Sequence, residues 1–271
     1  MILVNGVPSE HIQATDRGLM YGDGVFRTLQ IRAGRPFCWQ RQFAKLQADC
    51  QALKIECPGF ATLRQELAQI GAAEPDCVAK IIVTRGIGLR GYAPNSGAAP
   101  TRIVMSAPLP GYPGSYLAEG VALHVCDLRL SRQPRLAGVK HLNRLENVLA
   151  RMEWDDLAIA EGLMLDTAGN VIEGTMSNLF MLMGGTLFTP DLSHAGVAGV
   201  TRDRIMALAP TLGLELSVGN CALDFLLQAD ELVLCNSVMG ALPVKTCRDK
   251  CWKPGWLAPK LRNLLSNEEP Q

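Results

Sequence analysis

The stretch from Gly138 to Ala150, Gly-Val-Lys-His-Leu-Asn-Arg-Leu-Glu-Asn-Val-Leu-Ala, constrains this chain more than any other. Leu142, Leu145, Leu149 and Met152 recur at three- or four-residue spacing, which predicts a helix with one apolar, buried face running to about Ala160. Gly138 allows a backbone turn that other residues resist, and Lys140 stands just ahead of the periodic run. A lysine placed where a loop meets a buried helix is partly desolvated. Its amine then loses a proton more easily and can act as nucleophile or base. The plainer reading is a surface lysine whose stem lies over a helix start. Taken alone, the stretch favours the plainer reading; the motifs downstream of it reverse that preference.

The totals narrow the classes of function. At 271 residues the chain suffices for one large domain or two ordinary ones, and 48% apolar residues provide a substantial core. Basic and acidic residues balance at 26 each, which argues against a nucleic-acid partner, whose phosphates need clustered Lys and Arg. No apolar run reaches the ~18 residues of a membrane span. Met1 to Gly6 lacks the basic segment of a signal peptide, so a cytoplasmic location is expected. The nine cysteines are scattered with no Cys-x-x-Cys pair, and His11, His124, His141 and His194 show no ligand spacing. These read as small core residues in a reducing compartment, with no metal site.

The remaining pattern predicts a mixed α/β chain. Ile2 to Val4 with Asn5-Gly6 reads as a strand and tight turn, and Val25 to Ile31 alternates as a strand should. The glycines between Asp16 and Gly24 lack the Gly-Lys-Ser/Thr ending of a phosphate loop. Thr28 reads as a plain strand residue. Helices are predicted over 40–55 and over 60–70, the second stopped by Gly71, and Lys45 lies off the apolar face of the first as a solvated charge. Strands at 79–84 and 102–107 flank a glycine-punctuated loop that carries Arg85, Arg90 and Tyr92. Pro108 to Ser115 is the best linker. A second unit comes next, with strands at 121–126, 162–166 and 171–173 and a hairpin over 178–188. Glu173, between a strand and Gly174, suits either a cap for nearby hydroxyls or a group facing a ligand. Gly196 to Gly199 leads into a helix reaching Gly213, with Thr201 in its first turn, a natural anion seat or a simple capped start. A buried strand over 232–235, a polar loop from Asn236 and Ser237, a helix over 257–265 and a frayed acidic tail complete the chain.

The order of these features resembles the fold-type IV pyridoxal-phosphate enzymes, the group of branched-chain and D-amino-acid aminotransferases. The resemblance rests on Lys-His-Leu-Asn-Arg-Leu-Glu at 140–146, Val-Ile-Glu-Gly-Thr-Met-Ser-Asn-Leu-Phe at 171–180, Gly-Val-Ala-Gly-Val-Thr-Arg at 196–202 and the Asn-Ser loop at 236–237, and it runs from Met1 to about Ala258. Tyr-Gly-Asp-Gly at 21–24, Arg-Gly-Tyr at 90–92 and Cys-Asn at 235–236 lean toward the lyase branch, which splits 4-amino-4-deoxychorismate into 4-aminobenzoate and pyruvate.

The resemblance implies a small N-terminal α/β domain (1–107), a linker (108–115), a larger C-terminal domain (116–271), the cofactor held between the domains, and a homodimer. It implies that Lys140 carries pyridoxal 5'-phosphate as a Schiff base and serves as general base, and that Glu173 pairs with the pyridine nitrogen. Val200, Thr201 and Ser237 would contact the cofactor phosphate. Lys45 stands where the family usually has arginine, which keeps the charge and loses the bidentate fork. Arg90, Tyr92 and Asn236 would meet the substrate, and Thr28 would stand beside the lysine and help carry a proton. The rival readings are an aminotransferase on the same fold and a non-catalytic metabolite-binding protein. Binding alone would need neither Lys140 nor Glu173.

Overall fold

The computed structural model describes residues 1–94 and 97–266, so the acidic tail expected to fray lies outside the described residues. Backbone proximity divides the chain into two compact units. Among the described residues, one is Met1–Pro110 together with Val139–Asn143; the other is Gly111–Gly138 together with residues 144–266.

The first unit is an antiparallel sheet under two helices. Its elements are β1 (Ile2–Val4), β2 (Val7–Pro8), α1 (Arg17–Tyr21), β3 (Gly24–Arg32), β4 (Arg35–Pro36), α2 (Trp39–Ala52), α3 (Phe60–Ala73), β5 (Cys77–Thr84) and β6 (Thr101–Ala107). The strand order is β2-β1-β6-β5-β3-β4. Alternation in β3 sends Val25, Leu29 and Ile31 into a core with Leu46, Leu63, Leu67 and Ile70, the inner faces of α2 and α3. Phe26 and Thr28 therefore share the opposite face of the strand. Gly71 does not stop α3. It lies inside the helix, where a Cβ would come within 2.3 Å of the Gly34 carbonyl oxygen, so its role is close approach rather than termination.

The second unit contains α4 (Gly114–Ala118), β7 (Val121–Leu130), α5 (Leu145–Arg151), β8 (Ile159–Asp166), β9 (Val171–Gly174), β10 (Asn178–Met183), β11 (Thr186–Pro190), α6 (Val200–Leu208), β12 (Glu215–Gly219), α7 (Leu223–Leu226), β13 (Glu231–Asn236), β14 (Gly240–Cys247), β15 (Lys250–Cys251) and α8 (Leu257–Ser266). The mixed sheet runs β12-β11-β10-β13-β14-β7-β8-β9, with β15 on β14. Leu179 to Leu182 are all buried because β10 is covered on both faces. Leu179 and Met181 join one core cluster, and Phe180 and Leu182 join another formed with α6 and α8. Pro210 helps end α6 at Leu208, short of Gly213, because it has no N–H to continue the ladder.

The helix expected from Leu142 to Ala160 is the main correction. Only Leu145–Arg151 is helical. Residues 140–142 are instead extended, with the Phe26 N–H donating to the Lys140 carbonyl (2.9 Å) and the Leu142 N–H donating to the Gly24 carbonyl (2.9 Å). Pairing with β3 overrides the helical periodicity there, and the chain from Ile159 joins the sheet as β8. The apolar stripe is not buried in this chain: Leu145 is 74%, Leu149 54% and Met152 72% exposed.

Candidate active site

In the first unit the residues around Lys140 are fixed by one buried acid. Asp49, on α2, is 1% exposed and pairs with the guanidinium of Arg27 and with Lys45 Nζ (2.7 Å). Its Oδ2 also accepts from the Lys140 backbone N–H at 3.3 Å. With its carbonyl taken by Phe26, Lys140 has a main chain held on both sides, and only its side-chain torsions remain to move. Its Nζ lies 4.5 Å from the centre of the Phe26 ring. Thr28 is half-buried on the Phe26 face of β3, in register with Lys80 of β5, whose Nζ lies 5.0 Å from that same ring. Lys45 is not the solvated charge expected of it. It is 18% exposed and paired to Asp49 four residues on, the spacing at which helix side chains meet.

In the second unit three turns converge on Glu173, which is 4% exposed at the end of β9. Its Oε2 accepts from the Val197 N–H at 2.9 Å and from Asn178 Nδ2 at 3.4 Å. Asn178 is itself pinned, donating to the Val197 carbonyl (2.8 Å) and accepting from the Gly199 N–H (3.2 Å). The glycines are needed for this closeness. A Cβ on Gly196, at φ +83°, would press on Ile172 at 2.6 Å and on Glu173 at 3.3 Å, and one on Gly199 would meet Asn178 Oδ1 at 2.4 Å. The same turn leads into α6. There Thr201 Oγ1 meets Ser237 Oγ at 3.3 Å, and Val200 and Thr201 occupy the first turn, whose N–H groups have no partner within the helix. Asn236 is engaged locally: Oδ1 accepts from Val238 (2.9 Å) and Met239 (2.8 Å), and Nδ2 donates to the Met176 carbonyl (3.1 Å).

The loop after β5 separates its two arginines. Arg85 is committed to structure, donating to both Asp23 oxygens (2.8 and 2.9 Å) and to the carbonyls of Leu53 and Lys54. Arg90 and Tyr92 are exposed, while the backbone beneath them is held by Arg17, which donates to the Gly91 and Tyr92 carbonyls at 3.0 and 2.9 Å. Burial pushes the Asp23 carboxyl up, but the hydrogen bonds and charges of Arg85 and Arg17 outweigh it and hold Asp23 below its ordinary range.

The structure thus groups Glu173, Thr201 and Ser237 in one unit, and Lys140, Thr28 and Lys45 around β3 and α2 in the other. Lys80, Asp49 and Asn178 were passed over in the sequence. A lysine in an apolar strand marked the first, and an acid four residues after Lys45 marked the second. Asn178 stood inside the 171–180 motif, but two of its partners, Val197 and Gly199, lie about twenty residues away, so its role had no local signal. Among the described residues no cluster of three or more His, Cys, Asp or Glu could hold a metal ion.

A helix start that carries two hydroxyls, beside a buried acid on a glycine turn, is the kind of α/β site that seats an anion. The family is given by comparison. The profile described as amino-transferase class IV matches residues 24–247, and the chain belongs to that family. It is 46% identical to a 4-amino-4-deoxychorismate lyase of Pseudomonas aeruginosa of solved structure, with TM-score 0.95 and both chains covered fully. It is 36% identical to an aminodeoxychorismate lyase of Vibrio harveyi, over 90% of each chain. It is 30% identical to a putative branched-chain-amino-acid aminotransferase of Methanocaldococcus jannaschii, over 86% of this chain and 81% of that one. The fold is accordingly that of the fold-type IV enzymes.

Proposed function

We infer that this chain is a pyridoxal-phosphate-dependent carbon–oxygen lyase that converts 4-amino-4-deoxychorismate to 4-aminobenzoate and pyruvate, a step of folate biosynthesis. The observation that carries the cofactor is the arrangement around Glu173, fixed by the Val197 N–H and Asn178 at the turn that enters α6. The choice of lyase rests on the full-length similarity to the Pseudomonas lyase.

The donor set fits the cofactor. A carboxylate oriented by two donors suits a protonated ring nitrogen, and two hydroxyls at a helix start suit a phosphate. When bound, pyridoxal phosphate supplies an electron sink for bonds broken at a carbon bearing nitrogen. Glu173 holds the proton of the ring nitrogen. Thr201, Ser237 and the backbone at Val200 hold the phosphate, with Lys45 adding charge from α2. Lys140 Nζ would hold the cofactor, would take the proton from the substrate carbon that bears nitrogen, and would act again as nucleophile to free the product. Its fixed main chain delivers that amine on a short tether. Loss of the neighbouring ether leaves an aromatic ring and enolpyruvate, to which Thr28 passes a proton. Arg90, Tyr92 and the second amide hydrogen of Asn236 bind the substrate carboxylates. Arg85 has no such role, because Asp23 and two carbonyls occupy it.

We assign a homodimer, supported by the exposed apolar stripe of α5, Leu145, Val148, Leu149 and Met152. A reducing, cytoplasmic setting is supported by nine free cysteines, of which burial pushes Cys126, Cys221 and Cys235 up to about 12. The test is a coupled assay in which a synthase generates the substrate from chorismate and glutamine. Equal yields of 4-aminobenzoate and pyruvate are expected. Amino-group transfer to 2-oxoglutarate, with neither product, would establish instead the aminotransferase reading that the Methanocaldococcus relative favours.

A further inference from the structure

One buried acid has no part in the chemistry above. Glu161, in β8, is 4% exposed. Its Oε1 accepts from the N–H groups of Gly162 (3.0 Å) and Thr175 (3.0 Å) and from the Thr175 hydroxyl. Its Oε2 accepts from the Met176 N–H (3.3 Å) and the Ser177 hydroxyl (2.9 Å). Four of the five donors lie on one loop, 174–177. Gly174 packs that loop onto the acid, since a Cβ there would come within 3.0 Å of Glu161 Cγ and Cδ.

The loop has Glu173 before it and Asn178 after it, the two residues hydrogen-bonded to each other in the candidate site. Its outer carbonyls take two further asparagines: Thr175 O accepts from Asn147 Nδ2 (2.9 Å) and Met176 O from Asn236 Nδ2 (3.1 Å). A buried carboxylate is a costly way to gain stability, and apolar packing would serve better. Of the two inward backbone N–H groups, that of Thr175 is shared with the Gly162 carbonyl (3.0 Å) and that of Met176 turns to the acid, so one carboxylate serves both along with two hydroxyls.

We propose that Glu161 is a positioning residue: by gathering the donors of loop 174–177, it sets Glu173 and Asn178 at the ends of that loop and Asn236 on its outer side. This rests on the reading that Glu173 meets the cofactor nitrogen and Asn236 the substrate. In Glu161→Gln one oxygen becomes an NH2 group that faces donors, so the loop loses its anchor while volume is kept.

The test joins two readouts. Hydrogen exchange, run on protein without added cofactor, should show the Met176 amide of Glu161→Gln exchanging at least about tenfold faster than wild type, with the Thr175 amide, which keeps the Gly162 carbonyl, changing less. In the loaded protein the KM for aminodeoxychorismate should rise, and the pH dependence of the cofactor's visible band should move, with Glu161→Asp closer to wild type than Glu161→Gln. Where Glu161→Gln fails to fold, Thr175→Val and Ser177→Ala, each removing one hydroxyl donor, should move both readouts in the same direction by less. Unchanged exchange overturns the proposal. Faster exchange with wild-type KM and pH profile overturns it too, leaving Glu161 a stability residue. A wild-type protein that takes up no pyridoxal phosphate and releases no 4-aminobenzoate sinks the functional reading and this proposal with it, and that result is visible before any variant is made.

Discussion

Two loops of this molecule carry functional side chains in opposite ways. Loop 174–177 is tied down from inside: Glu161 takes its donors, and Glu173 and Asn178 at its ends are buried and paired. Loop 86–92 is tied down mainly through its backbone, by Arg17, the Tyr21 hydroxyl and the Thr15 carbonyl, and holds Arg90 and Tyr92 toward solvent, Tyr92 at 86% exposure with its ring beside Tyr21. The difference matches what each would hold in the proposed lyase. A resident cofactor needs groups already in place, because any reorganisation on binding is lost from catalysis. A substrate that comes and goes is met by side chains that close on it. The fixed loop should therefore be sensitive to atomic substitution, and the open one should show its effects in substrate affinity.

The largest effect sits at the reacting amine. Lys140→Ala should lower turnover by about 10⁴ or more and abolish the absorbance of the covalently held cofactor; a mutant that keeps that band would break the assignment. Next is Glu173→Gln, which keeps the hydrogen bonds from Val197 and loses the charge. Turnover is expected to fall by roughly 10²–10³ with cofactor still bound, as measured by steady-state kinetics beside the visible spectrum. Loss of tenfold or less would place the acid outside the reaction.

Asp49→Asn removes the buried charge that Arg27 and Lys45 share, at a cost of about 3–5 kcal/mol and roughly 10 °C in melting temperature by calorimetry. A fall under about 1 kcal/mol would show that Asp49 does not anchor the Lys140 segment. The arginines of the open loop sharpen the contrast. Arg90→Ala should raise KM about tenfold with an unchanged melting temperature, whereas Arg85→Ala should lower the melting temperature. The reverse pattern would exchange their roles.

The smallest effect is a pH dependence. Asp23 is held below its ordinary range when folded, so its stabilisation is fully present above the unfolded aspartate value near about 4 and is lost as pH falls through the lower folded value. Melting temperatures of wild type and Asp23→Asn should converge on acidification below about pH 4 and differ at neutral pH. Parallel curves would remove Asp23 from the clamp on loop 86–92.

The proposed site was legible in the order of motifs, because cofactor chemistry needs certain residue types: an amine at 140, an acid at 173, and glycines leading to hydroxyls at 196–201. Glu161 was not, since strand pairing alone brings it under loop 174–177, and Asn178, though inside the 171–180 motif, gave no sign of its bonds to Val197 and Gly199. The periodicity of Leu142, Leu145 and Leu149 misled for a related reason. It records an apolar stripe faithfully, but local spacing does not say whether β3 or a helix claims residues 140–142, or whether the stripe is covered within one chain.

The sequence by itself determined the strands with their alternation, the two amphipathic helices α2 and α3, the lysine proposed to react and the family to which its motifs belong, all set by local preference and residue chemistry. Only the tertiary structure decided that Asp49 grips the Lys140 backbone, that Arg85 is structural while Arg90 is open, and that Glu161 gathers loop 174–177. Each of these is a hydrogen bond or ion pair between groups far apart in the chain, whose strength depends on burial that no local window contains.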